Sequence, residues 1–193
     1  MWQILGTILA IFSLSSISWA QTGSFESRLA EQLGLCTNSR AVGNSYVSPC
    51  SQCTLQFVSL SPGQAPDQLF LMEARSPDNC GSGGCTGTVY RKQGQSYITL
   101  TNFFGYFERA VARSGNATPD IIYLHNESMQ HDFTGDGAKD RAVLKVKYRW
   151  NAQRQNFEVV DILAIEASGR KVDPGPFRQM LLQEYRQGSP WVY

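Results

Sequence analysis

The sequence predicts an α+β fold: an antiparallel β meander with an N-terminal and a C-terminal helix packed on one face, held by disulfide bonds. Three observations point to this fold. Residues 141–150 alternate strictly between apolar and charged side chains, which is the period of a half-buried strand. Short apolar runs bounded by turn residues lie on both sides of this segment, as in a series of hairpins. One amphipathic stretch near each end of the chain has the helical period instead.

Length and composition indicate a single exported domain. The chain has 193 residues, of which 42% are hydrophobic and 17% are charged, and this is enough for one core. Residues 1–20 are largely apolar and end with the small residues Ser18 and Ala20, which predicts a secretory signal peptide cleaved before Gln21. An N-terminal membrane anchor is the alternative. We expect residues 21–193 to form a single periplasmic or secreted domain, with no stable membrane insertion after cleavage. The net charge of +1 argues against a nucleic-acid partner.

The N-terminal half predicts one helix and four strands. Residues 22–35 have an apolar side chain every four positions from Phe25 to Leu33, which predicts a helix with one buried face. Residues 37–52 are rich in Ser, Asn and Gly and predict a loop. Turn residues then separate short apolar or alternating runs. The strands predicted from these runs are residues 55–60, 68–74, 86–91 and 96–101.

The C-terminal half predicts further strands and a second helix. Residues 102–115 are crowded with aromatic side chains, and a strand is favoured there over a helical turn. Asp173 followed by Pro174 is typical of a helix start. The other strands predicted in this half are residues 121–124, 141–150 and 157–165. The apolar face of the second helix consists of Phe177, Met180, Leu181 and Tyr185.

Five cysteines follow the predicted signal peptide, and in an exported protein they indicate disulfide bonds. Cys80 and Cys85 enclose four Gly and Ser residues, so we expect these two cysteines to form one bond. Cys36 is expected to pair with Cys50 or Cys53, which leaves one thiol over. Zinc binding is the alternative, because two residues separate Cys50 from Cys53, as in zinc fingers.

Residues 132–140 form a loop rich in carboxylates and glycine that predicts a calcium site. Oxygen-bearing side chains stand at positions 1, 3, 5 and 9 of the loop, and Gly137 at position 6 allows a sharp turn. The expected ligands are Asp132, Thr134, Asp136, the carbonyl group of Ala138, and Asp140. The loop resembles those of FG-GAP and dockerin-type repeats, and this resemblance implies calcium binding. Position 12 is Val143 rather than glutamate, however, and the same residues also suit a hairpin turn that needs no ion.

The strand predicted at residues 141–150 has a row of basic side chains on one side. Lys145, Lys147 and Arg149 alternate with the apolar residues and therefore share a face. A solvated face of the sheet explains this row. The alternative is a basic stripe that binds an anionic partner.

Two histidines are the only other candidates for chemistry. His125 and His131 lie near acidic residues in a polar stretch, where a surface position is expected. The alternative is a small secreted hydrolase in which one of them acts with a carboxylate or with the remaining thiol. No catalytic motif accompanies them, and no catalytic residue is assigned.

Residues 80–92 begin with Cys-Gly-Ser-Gly-Gly-Cys-Thr and resemble a segment of small exported bacterial proteins of unknown role. This resemblance implies an extracytoplasmic domain. We expect a binding or structural module rather than an enzyme, with an extracytoplasmic protein as its partner. Inhibitors of cell-wall hydrolases are one such class, and in that case Ser82 in the disulfide loop is the candidate contact residue.

Overall fold

A computed structural model of the chain describes residues 23–37, 50–77, 79–128 and 131–188. This part of the chain contains helix α1 (Gly23–Gln32), nine strands and helix α2 (Gly175–Gly188). The strands are β1 (Thr54–Ser59), β2 (Leu69–Arg75), β3 (Cys80–Gly81), β4 (Gly84–Gln93), β5 (Ser96–Val111), β6 (Asp120–Ser128), β7 (Arg141–Asn151), β8 (Asn156–Ala167) and β9 (Arg170–Val172).

The strands form one antiparallel sheet in which chain order and spatial order nearly coincide. The order across the sheet is β1-β2-β4-β5-β6-β7-β8-β9, and β3 pairs beside β4 as a short arm. Each described pair of neighbours is antiparallel. The predicted class, an α+β fold with a mostly antiparallel sheet and disulfide bonds, agrees with this architecture.

The crowded aromatic segment continues the long strand β5. Residues 96–101 and 102–115 are predicted separately, but residues 96–111 form one continuous strand of 16 residues, and residues 112–115 lie beyond its end. Phe103 and Phe107 are buried in the core, whereas Tyr106 on the other face is exposed. Strand β7 confirms the alternation predicted for residues 141–150, since its described burial alternates along most of its length.

The two helices pack against opposite faces of the sheet. Consecutive strand residues point to opposite faces, and Phe70 and Leu71 of β2 are both fully buried. Phe70 belongs to a cluster with Leu29 of α1, whereas Leu71 belongs to the cluster that contains Leu181 of α2. The prediction that both helices pack on one face is therefore not confirmed. The reason lies in β2, because a strand buried on both sides needs a covering layer on each.

The larger cluster lies between the sheet and α2, and the sheet curls around it. Strands β5 and β8 are three places apart, which would be roughly 14 Å in a flat sheet. Yet the ring centroids of Phe103 and Phe157 are 6.1 Å apart. The fully buried members of this cluster include Leu71, Val89, Phe103, Tyr123, Leu144, Val146 and Ile162.

Strand β6 is longer than the sequence predicts. It continues past the predicted residues 121–124 to Ser128, so that His125 lies in a strand rather than in a loop. The predicted signal peptide, residues 1–20, lies outside the described residues. Among the helices that the structure describes, none is long and apolar enough to cross a membrane.

Candidate functional site

Four of the cysteines form two disulfide bonds. Cys80 is bonded to Cys85 as predicted, and Cys50 is the partner of Cys36. Four of the five cysteines are thus disulfide-bonded, which leaves no set of thiolates for the zinc alternative. Cys53 belongs to neither bond and is half-buried in the cluster beneath α1.

The Cys80–Cys85 bond closes a tight hairpin, residues 80–85, which we call the disulfide hairpin. Its arms pair in register, Cys80 with Cys85 and Gly81 with Gly84, so that Ser82 and Gly83 form the tip. Gly81 and Ser82 are exposed, whereas the base of the hairpin at Cys85 is buried. The hairpin therefore presents its tip to solvent from a base anchored in the sheet.

The glycines of the disulfide hairpin allow close packing against strand β5. A Cβ atom on Gly83 would lie 2.7 Å from a ring carbon of Phe104, and one on Gly84 would lie 2.4 Å from the Cα of Gly105. The side-chain amide of Asn126 on β6 also donates a hydrogen bond of 3.1 Å to the carbonyl of Ser82. These contacts hold the hairpin tip in one position relative to the sheet.

The first half of the 132–140 loop is organised by Asp132. Its carboxylate accepts hydrogen bonds from the backbone N–H groups of Gly135 at 2.6 Å and Gly137 at 2.8 Å. The carboxylate of Asp136 accepts one from the N–H of Ala138 at 2.8 Å. These carboxylates thus satisfy the turn's backbone donors, the role that aspartate commonly has in turns.

Asp140 is buried and organises the other half of the loop. Its carboxylate accepts hydrogen bonds from the N–H groups of Phe133 at 2.8 Å and Thr134 at 2.9 Å, and from the hydroxyl of Ser168 at 2.6 Å. The bond from Ser168, followed by those from Thr134, lowers the pKa of Asp140. Asp140 therefore joins this loop to the turn after β8.

The predicted calcium ligands are close in the chain, but their carboxylates serve different parts of the loop. Asp132 binds the N–H groups at the tip, whereas Asp140 points inward to the loop's base. Within the described residues, no group of three or more His, Cys, Asp or Glu side chains is arranged to hold a metal ion. Hydrogen bonds alone account for the position of both carboxylates, and calcium binding by this loop stays a prediction.

His125 lies in the core, contrary to the expected surface position. Its Nδ1 is 2.8 Å from the carbonyl oxygen of Phe104, and its Nε2 is 2.9 Å from the hydroxyl of Tyr148. A carbonyl oxygen only accepts, so Nδ1 carries the proton and Nε2 accepts from Tyr148. Burial lowers the pKa of His125 to about 4. The imidazole is thus neutral, and both of its ring nitrogens form hydrogen bonds inside the protein.

His131 links the acidic loop to α2. Its Nε2 lies 3.0 Å from a carboxylate oxygen of Glu184, and its ring contacts that of Phe133. The carboxylate required by the hydrolase alternative is present, but Cys53 lies in the cluster on the other side of the sheet. A catalytic pair of histidine and thiol is therefore not formed.

The predicted basic stripe forms ion pairs on the surface of the sheet. Lys145 lies 2.7 Å from Glu108, and Lys147 lies 3.2 Å from Asp120. Arg149 donates to both oxygens of Asp120, each at 2.9 Å. Burial raises the pKa of Asp120, but the hydrogen bonds from Arg149 and Lys147 outweigh this and lower it overall. The stripe is thus not merely solvated: it holds a carboxylate that is almost fully buried.

Sequence reasoning missed a buried acidic group at Glu73. This side chain is fully buried, pairs with Arg75, and lies 3.5 Å from the hydroxyl of Tyr123. Burial, followed by the nearby charge of Glu73, raises the pKa of Tyr123. A Cβ on Gly87 would lie 1.9 Å from that hydroxyl oxygen, so glycine makes the arrangement possible. The signal was present, because Glu73 continues the alternation of Leu69 and Leu71.

No protein-family model, no curated protein and no solved structure matches the chain. The resemblances of the disulfide hairpin and of the acidic loop therefore remain expectations from the sequence.

Proposed function

We propose that this protein is an exported binding domain, without catalytic activity, that presents the disulfide hairpin to an extracytoplasmic protein. The observation that carries the proposal is the anchored hairpin itself. Its tip is exposed at Gly81 and Ser82, while the contacts of Gly83 and Asn126 hold it against the sheet.

A hairpin fixed in this way suits recognition of another protein. Binding by a mobile loop is weakened by the entropy lost when the loop becomes ordered, and a preformed loop avoids most of that loss. The exposed part of the tip can contact a complementary partner surface without first becoming ordered. The cleft of a cell-wall hydrolase is one candidate for that surface.

The interior supports binding over catalysis. Two buried groups that could serve a hydrolase are engaged in the core: His125 by Phe104 and Tyr148, and Glu73 by its pair with Arg75. The second histidine, His131, is paired with Glu184 of α2. Such satisfied polar networks stabilise a core and make it more specific. Two disulfide bonds also favour an oxidising compartment, either the periplasm or the extracellular space.

Site-specific photo-crosslinking tests this function. A photoreactive amino acid replaces Ser82 in the full-length protein, expressed in the organism that makes it. The control is Gln153, an exposed residue in the turn between β7 and β8. We expect one extracytoplasmic protein to be crosslinked from position 82 and not from position 153. If both positions give the same products, or if neither gives any, the proposal is wrong.

A further inference from the structure

We propose that the partner's surface is acidic and that it binds the face of β5, β6 and β7 that points away from α2. We call this face the open face. The inference rests on the proposed function and describes the partner of the disulfide hairpin by its charge and apolar character.

The register of the strands defines the open face. Tyr106 pairs opposite Leu124, and Leu124 pairs opposite Lys145. Residues that stand opposite each other in an antiparallel pair share a face, so these three side chains lie side by side. Val143 pairs opposite Asn126, two residues further along the same strands, and thus belongs to this face as well. The core residues Tyr123 and Val146 alternate with this set and point to the other side.

An apolar patch lies on the open face beside the disulfide hairpin. Tyr106 is 37% exposed and Val143 is 36% exposed, and both are among the few exposed large hydrophobic residues in the described chain. Half-buried Leu124 lies between their strands. Asn126, in the same row as Val143, is the residue that binds the carbonyl of Ser82. The hairpin tip and the apolar patch therefore form one continuous surface.

The rest of the open face has an excess of positive charge. One ion-paired cluster there has five basic side chains and two carboxylates, those of Glu108 and Asp120, and thus a net charge of +3. Arg141 adds a further positive charge on β7, and Glu158 and Glu166 stand beside the face on β8. The whole chain has a net charge of only +1, so positive charge is concentrated here. The basic residues of the cluster are Arg109, Arg113, Lys145, Lys147 and Arg149.

These features fit an acidic protein surface better than a polyanion. Glu108 and Asp120 lie among the basic residues and would repel a continuous chain of phosphates. A protein surface can instead place separate carboxylates near the outer basic residues, of which Arg109 is 58% exposed. The apolar residues of the partner would then cover Tyr106 and Val143. Charge complementarity of this kind mainly raises the rate of association and makes it salt-dependent.

Crosslinking from the open face, combined with charge reversal, tests the inference. A photoreactive amino acid replaces Val143, and its product is compared with that from Ser82 in the same cells. Arg109→Glu and Arg113→Glu are then introduced together into the protein that carries the photoreactive amino acid at position 82. The matched control is Arg154→Glu, which reverses an exposed arginine in the β7–β8 turn. Melting temperatures show that each variant is folded.

We expect positions 82 and 143 to crosslink the same protein. The double reversal should lower the yield from Ser82 roughly five- to tenfold, and added salt should lower it as well, whereas Arg154→Glu should leave it unchanged. An unchanged yield after the double reversal would overturn this inference and leave the proposed function intact. A product from Val143 that nuclease digests would overturn it too, since the partner would then be a nucleic acid. If position 82 gives no crosslinked product even without the charge reversals, the result would instead count against the proposed function.

Discussion

His125 is held neutral by its surroundings. Its imidazole is fully buried, donates to the carbonyl of Phe104 and accepts from Tyr148. Protonation would add a second N–H where the hydroxyl of Tyr148 already donates, and it would place a charge in an apolar core. Glu73 is satisfied in a similar way by Arg75 and Tyr123. At the scale of single residues, the polar groups of the core thus serve the fold.

The first prediction concerns the pH dependence that His125 imposes on stability. Burial lowers its pKa from the ordinary 6.5 to about 4 in the folded protein. The unfolded chain therefore binds a proton more readily, and stability falls as the pH drops from about 6.5 to about 4. Over this window His125 should cost roughly 3 kcal/mol in the free energy of unfolding. Urea unfolding at about pH 7 and about pH 4.5 measures the change.

The variant His125→Gln isolates this contribution. Glutamine keeps hydrogen-bonding groups but cannot be protonated, so the variant should lose part of the pH dependence even if it is less stable throughout. The control Gln153→Ala changes an exposed side chain in the β7–β8 turn that cannot be protonated, so it should keep the dependence of the unaltered protein. If His125→Gln and the unaltered protein lose the same stability between the two pH values, His125 is not the source of the pH dependence.

At the scale of elements, the acidic loop depends on one carboxylate more than on the others. Asp140 is buried and accepts hydrogen bonds from Phe133, Thr134 and Ser168, whereas Asp132 serves the exposed tip. Removing a buried acceptor leaves its donors unsatisfied, which costs more than the same loss in water. We expect Asp140→Ala to lower the melting temperature more than Asp132→Ala does. Equal effects would mean that the inward hydrogen bonds contribute little.

Melts of the same proteins in calcium and in a chelator decide whether the loop binds an ion. If calcium binds as the sequence predicts, it raises the melting temperature of the unaltered protein by preferential binding to the folded state. Asp132→Ala, which removes the ligand expected at position 1, should abolish that rise. If the unaltered protein melts identically in calcium and in the chelator, the loop binds no calcium and is a turn closed by hydrogen bonds.

The sequence predicts those elements whose signal is local. The alternation at residues 141–150 defined β7, and the short spacing of Cys80 and Cys85 defined the disulfide hairpin. The sequence predicts β6 only as residues 121–124, because residues 125–128 are polar, although pairing with β7 satisfies their backbone groups. That pairing depends on a partner strand thirteen or more residues away and is not visible in the segment itself.

The pairing of the basic stripe could not be predicted for a similar reason. Asp120 is far from Lys147 and Arg149 in sequence, and only the register of β6 and β7 brings them together. The placement of the helices, in contrast, has a signal in the sequence of β2. The uninterrupted apolar run Leu69–Met72 is typical of a strand covered on both faces, and such a strand needs a covering layer on each side.

At the scale of the whole molecule, two hydrophobic clusters share one sheet. Phe70 and Leu71 are adjacent in β2 but belong to different clusters, and Val89 and Tyr90 of β4 are divided in the same way. Neither cluster can open without exposing strands that the other covers. The two clusters should therefore unfold together, even though a separate helix covers each.

We accordingly expect a single cooperative unfolding transition that a substitution in either cluster shifts as a whole. Phe70→Ala and Phe103→Ala each remove a fully buried ring, and each should cost about 3–5 kcal/mol. Both variants should keep a ratio of calorimetric to van't Hoff enthalpy near one, and near- and far-ultraviolet circular dichroism should give the same midpoint. Two separate transitions in Phe70→Ala, with only the earlier one shifted, would show that the cluster beneath α1 unfolds independently. In that case β2 and β4 would not couple the two faces.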